Sequence, residues 1–92
     1  IDWTNPTTGT AANPIVFQAD KGVKITQRSA RFGDGINFET GTDYIRVINF
    51  DIDNDGSITR AGIRTVGKHT VVRHNRSNGN GKWGILTGFT DG

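Results

Sequence analysis

Asp51-Ile52-Asp53-Asn54-Asp55-Gly56-Ser57-Ile58 is the segment of this chain that comes nearest to a chemical signature. It has the form D-x-D-x-D-G-x-I, which matches the opening positions of an EF-hand or dockerin-type calcium loop. Calcium takes roughly six to eight hard oxygens. Asp51, Asp53 and Asp55 would supply carboxylates, Ser57 its backbone carbonyl and Thr59 a water-mediated contact. The bidentate glutamate that closes such a loop is missing, because Gly62 stands in its place and neither Arg60 nor Ala61 can substitute. Two readings are therefore open: a calcium site, or a soluble turn inserted between strands, since Asp-Asn-Asp-Gly is also ordinary turn chemistry.

Cations and rings offer a second kind of chemistry. Lys24, Arg28, Arg46, Arg64 and Arg73 alternate with apolar neighbours and are expected to face solvent. Arg46 and Arg73 then fall on neighbouring repeats and form a cationic ridge, or serve only to keep strand edges soluble. Tyr44 and Trp83 are rings fit to stack on a ligand or to pack on the next repeat. His69 and His74 lie on one strand at an odd separation, which puts them on opposite faces and rules out joint chelation of one metal. No Ser-His-Asp order, phosphate loop or dinucleotide fingerprint occurs; Gly79-Asn80-Gly81-Lys82-Trp83 lacks the P-loop spacing.

Composition narrows the classes further. The 92 residues carry a net charge of +2 with dispersed Lys and Arg, which argues against a nucleic-acid partner. Without cysteine there is neither a disulfide framework nor a thiolate metal site. No apolar run approaches the roughly 20 residues of a membrane span, and no membrane partner is expected. Gly, Asn, Asp and Thr are plentiful, which favours strands and turns over helices. The chain opens on Ile1, which suggests a removed leader or a piece of something longer.

The elements that must hold these groups recur along the chain. Gly35-Ile36, Gly62-Ile63 and Gly84-Ile85 open similar phrases, and Ile25, Val47 and Val72 make a second ladder. Self-similarity at 20–30 residues is the mark of stacked supersecondary units. The expected fold is all-β: strands stacked in parallel over about three to four rungs, with no significant helix. Residues 1–13 form a lead-in, 14–33, 34–61 and 62–83 form rungs, and 84–92 begins a rung left incomplete. Stacking should place Ile15, Ile36, Ile63 and Ile85 in one inward column and Phe17, Phe38, Thr65 and Thr87 in the next. Val72 should lie under Val47, and Asn75 beneath Phe50. Segment 51–58, in the longest repeat, reads as the insertion.

The phrases GTAANPIVFQAD, DYIRVINFDI and AGIRTVGKHTVVRHNRSNGNGKWGILTGFTD resemble the repeats of secreted, carbohydrate-active parallel β-helix proteins of the pectate and alginate lyase-like superfamily. The resemblance implies a right-handed parallel β-helix of about three to four rungs, and an extracellular protein that binds or processes polysaccharide, an acidic glycan above all, without being catalytic alone. Arg46, Arg64, Arg73, Tyr44 and Trp83 would contact the glycan. The alternative is a structural element that self-associates through open solenoid ends.

Overall fold

The computed structural model describes residues 1–3, 8–29, 33–39, 41–79 and 81–87. Short runs of apolar–polar alternation become ten strands: β1 (Asp2–Trp3), β2 (Ile15–Gln18), β3 (Lys24–Ile25), β4 (Ile36–Phe38), β5 (Ile45–Ile48), β6 (Asp51–Asp53), β7 (Ala61–Thr65), β8 (Val71–Arg73), β9 (Arg76–Asn78) and β10 (Trp83–Thr87). No described residue is helical. The strands form three sheets, ordered β1-β4-β7-β10, β2-β5-β8 and β3-β6-β9. Every pairing is parallel. From β2 onward the chain visits the three sheets in fixed rotation, an arrangement compatible with a β-solenoid. We call each visit to all three sheets a circuit.

Register shows which residues share a column. Ile36, Ile63 and Ile85 stack as expected, and so do Phe38, Thr65 and Thr87. Val72 lies beside Val47. Ile15 and Phe17 do not join the expected columns: they pair with Ile45 and Val47 in a different sheet. The Ile-x-Phe phrase is common to both sheets because either inward face accepts the same large apolar side chains.

Segment 51–58 is not an insertion. Asp51–Asp53 is a regular strand between β3 and β9. The step from Ile52 to Ile63 is 11 residues, as is that from Ile25 to Ile36, whereas Ser77 to Ile85 is only 8. Of these three connections it is the last that departs, by being shorter. Ile58 is buried in the core, so the Asp-rich segment is anchored there. Asn54 shapes it: Oδ1 accepts the Gly56 and Ile58 N–H groups at 2.9 Å, and Nδ2 donates to the Ile58 and Gly79 carbonyls.

The inward side chains Ile36, Phe38, Ile45, Val47, Ile52 and Ile63 are fully buried and form the core with Ile58. Burial of such groups, at about 25 cal/mol per Å², is the main stabilising contribution. Trp3 belongs to this core and not to a loose lead-in: β1 pairs with β4, and Trp3 packs edge-on to Phe17 at 5.3 Å. Phe17 in turn meets Phe38 at 4.9 Å. Burial fades at the last circuit, where Ile85, third in its column, is 45% exposed.

The Gly-Ile phrase has a steric origin. A Cβ on Gly35 would stand 2.8 Å from the Gly62 carbonyl oxygen, so the two circuits approach too closely for a side chain. Gly84, in the outermost described strand of its sheet, meets only ordinary contacts. The turn after β7 is tighter still, since a Cβ on Gly67 would overlap the Thr42 carbonyl. Gly67→Ala is therefore expected to destabilise by about 2 kcal/mol, in the range of overpacking. Gly22→Ala, with open space but φ of 86°, should lose only about 1 kcal/mol. Urea unfolding of both variants checks the order.

Candidate functional site

Left-handed backbone at fixed positions in the circuit makes corners, and three of the candidate residues, Tyr44, His69 and His74, sit on them. Gly22 (φ 86°), Asn49 (φ 63°) and His74 (φ 56°) lie in one column between the second and third sheets. Tyr44 (φ 54°) and His69 (φ 55°) form another, just before β5 and β8. Only Gly enters this region freely, and each other residue there costs on the order of 1 kcal/mol. A single left-handed residue lets the chain change direction sharply, so β5 and β6, like β8 and β9, are separated by two residues. Asn75 locks this corner. Its Oδ1 accepts the Phe50 N–H at 2.8 Å, as its place beneath Phe50 predicts, and its Nδ2 donates to the Val47 and Arg73 carbonyls.

A groove of about 340 Å³ opens along the Gly22–Asn49–His74 corner, lined also by Lys21, Phe50, Asp51 and Arg76. It crosses all three circuits. Asp51 sits in register between Lys24 and Arg76, a cation–anion–cation column. Its Oδ2 is 3.9 Å from Arg76 Nη1, a loose pair, and its Oδ1 is buried with no hydrogen-bond partner. A buried acceptor without a donor costs roughly 1–3 kcal/mol.

The residues of the calcium-loop pattern are dispersed. Asp51 and Asp53 lie in β6, where Asp53 faces Lys24 at 3.6 Å. Asp55 Oδ1 accepts the Ser57 N–H at 2.9 Å, and the Ser57 hydroxyl accepts the Arg28 N–H. The hydrogen bonds from the Ser57 backbone and side chain hold the Asp55 carboxyl below its ordinary 3.8. Among the described residues no three or more acidic or histidine side chains converge in a way that could hold a metal. The donor set does not fit a calcium loop as it is arranged here.

The glycan-facing set divides as well. Arg46 and Arg73 are exposed on the outer face of the β2-β5-β8 sheet, on adjacent strands. Their register partners there are Val16 and Val71 for Arg46 and Ile48 for Arg73. Tyr44 is half-buried, one ring face stacked on His69 at 4.5 Å with the planes 11° apart. Trp83 is in β10, in a different sheet, with the Lys82 ammonium 5.8 Å from its ring.

Arg64 is the clear correction. It was expected at solvent but is 1% exposed, and its guanidinium donates to Asn37 Oδ1 at 2.8 Å and pairs with Glu39. Asn37 Nδ2 also donates to Glu39 at 2.6 Å. Alternation does put Arg64 on the face away from the Ile63 column. There it meets the Asn37 acceptor on β4 and, just past the strand, the Glu39 carboxylate, which neutralises the charge and allows burial. Asp34 and Arg60 make a second such tie: a bidentate pair at 2.9 and 2.6 Å around a buried carboxylate that also accepts the Ala61 N–H.

Lys21, Asn49 and Arg76 are groove residues that sequence reasoning overlooked, and it weighed His74 only as a metal ligand. A signal exists in Gly22, Asn49 and His74, which are residue types tolerant of left-handed backbone at steps of 27 and 25. No family model, curated protein or solved structure matches the chain.

Because removing one member of a buried charge pair strands the other, Arg64→Ala is expected to lower stability by about 3 kcal/mol. Thermal or urea unfolding reads this, and a loss under about 1 kcal/mol would show that Glu39 finds solvent without its partner.

Proposed function

We propose that the chain forms a right-handed parallel β-helix of three to four rungs, like those of secreted, pectate and alginate lyase-like proteins, and that it binds an acidic polysaccharide. Binding, not catalysis by this chain alone, is the role. The fold supports this through parallel strands in three sheets visited in rotation. One observation carries the functional reading. Arg46 and Arg73 stand exposed on one sheet face beside the exposed Val16 and Val71, and no described carboxylate pairs with either arginine. Guanidinium groups recognise carboxylates through paired N–H donors, while valine methyls accept the C–H faces of sugar rings. The face adjoins the corner groove, so a glycan crossing the strands would meet both.

Titration calorimetry with polygalacturonate tests this. Binding is expected to weaken as salt is raised, and the Arg46→Ala/Arg73→Ala double variant should lose about fivefold or more in affinity. Equal affinity in the double variant, or indifference to salt, would overturn the reading.

A second reading rests on a different observation. β10, outermost of the described strands in its sheet, leaves Ile85 and Trp83 exposed at 45% and 38%, and its far edge is unpaired among the described strands. Such an edge invites self-association. Sedimentation should then show a concentration-dependent oligomer that Ile85→Lys disperses; a wild-type monomer at all concentrations would exclude it.

A further inference from the structure

We propose that Asn78-Gly79 is a site of spontaneous covalent modification, where the asparagine cyclises onto the next backbone nitrogen and emerges as aspartate or isoaspartate, loosening the last circuit. The only co-reactant is water. The Gly79 nitrogen attacks Cγ of Asn78 and forms a C–N bond. Its proton leaves with the Asn78 Nδ2 as ammonia, and a cyclic imide remains. Water then adds to one of the two imide carbonyls and breaks that carbonyl's bond to the Gly79 nitrogen. Breakage at Cγ leaves aspartate, whereas breakage at the main-chain carbonyl leaves isoaspartate, with the chain rerouted through the side chain.

Three Asp-Gly or Asn-Gly pairs have both members among the described residues, and their nucleophiles differ in what they meet. At Asp34-Gly35 the Gly35 N–H donates to the Ala61 carbonyl at 3.0 Å, while Arg60 and the Ala61 N–H hold the buried carboxylate. At Asp55-Gly56 the Gly56 N–H donates to Asn54 Oδ1, and Asp55 Oδ1 accepts the Ser57 N–H, both at 2.9 Å. The Gly79 N–H meets no acceptor among the described residues, and the exposed Asn78 side chain makes no hydrogen bond to them.

The sheet explains this difference. Asn78 ends β9, outermost of the described strands in its sheet. The Asn54 N–H donates to the Asn78 carbonyl at 3.2 Å from the β6 side, and the peptide is trans, so the Gly79 N–H points the other way, toward the open edge. The same hydrogen bond polarises the peptide and makes the Gly79 proton easier to lose. Without a Cβ, Gly79 offers no obstruction to ring closure.

Conversion changes the link between the last two circuits. A carboxylate at position 78 lies in register with Asp53, a like charge. Isoaspartate also reroutes the chain between the two carbonyls that Asn54 binds, those of Asn78 and Gly79, and displaces both hydrogen bonds.

The experiment incubates the full chain at mildly alkaline pH, folded and in guanidinium chloride, and follows conversion at each site by peptide mapping with isoaspartate quantified. Folding should slow the reaction at Asp34 and Asp55 tenfold or more and at Asn78 less than threefold. Protection of Asn78 by tenfold, equal folded and unfolded rates at Asp34 and Asp55, or conversion confined to Asn80 overturns the proposal. Asn78→Gln, whose longer side chain closes a ring far more slowly, is carried through the same incubation. Amides of β9 and β10 in the converted chain should exchange at least fivefold faster than in this variant, with those of β4 to β6 unchanged. Equal exchange in the two overturns the loosening.

Discussion

Every described strand finds its hydrogen-bond partner in a segment more than 20 residues away, from Ile63 with Ile85 to Trp3 with Phe38. Among the described strands none pairs with its sequence neighbour, so the sheets are not held together by local hydrogen bonding. The structure therefore depends on register: each circuit must place its inward residues over those of the circuit before it. A slip of one residue would turn Ile36, Phe38 and Ile63 outward and bring Asn37 and Arg64 into the core. The buried pairs Arg64–Glu39 and Arg60–Asp34 both join different circuits, which makes a slipped register costlier still.

Corners enforce that register. Left-handed residues recur at equivalent points, and Asn75 ties its own corner to the one above through two hydrogen bonds, to the Phe50 N–H and the Val47 carbonyl, while a third closes on Arg73 within the corner. Asn54 does the same for the longer connection, reaching within its loop and across to Gly79. Polar side chains at the corners thus do the aligning, while the apolar columns supply most of the free energy. The groove follows from the same corners, so the candidate site is a consequence of how the chain turns.

Much of the fold was readable because strand periodicity is local. Ile36-Asn37-Phe38 and Ile45-Arg46-Val47 announce their inward faces within three residues. Which strands share a sheet was harder to read. Ile15-Val16-Phe17 matches Ile36-Asn37-Phe38 in type, yet it belongs beside β5, because the corners and not the inward residues decide the partner. Arg64 misled for a related reason: alternation gives the face of a side chain but not what covers it, and the acceptors on Asn37 and Glu39 become visible only once β4 and β7 are paired. The Asp-rich segment drew attention by its pattern, while Lys21, His74 and Arg76 are scattered in sequence and meet only through stacking.

The fading of burial toward β10 has a dynamic consequence. In a stack where each layer contacts only its neighbours, opening proceeds from the least covered layer inward. Ile36 and Ile63 are sealed, whereas Ile85 lies half in water, so fraying should begin at the last circuit and stop at the middle one. Amide exchange would then be graded along the axis, fastest in β8 to β10. The groove straddles that gradient, with Asn49 on the firm side and His74 and Arg76 on the loose one. A molecule lodged in it would act as a rivet, coupling the weakest layer to the strongest.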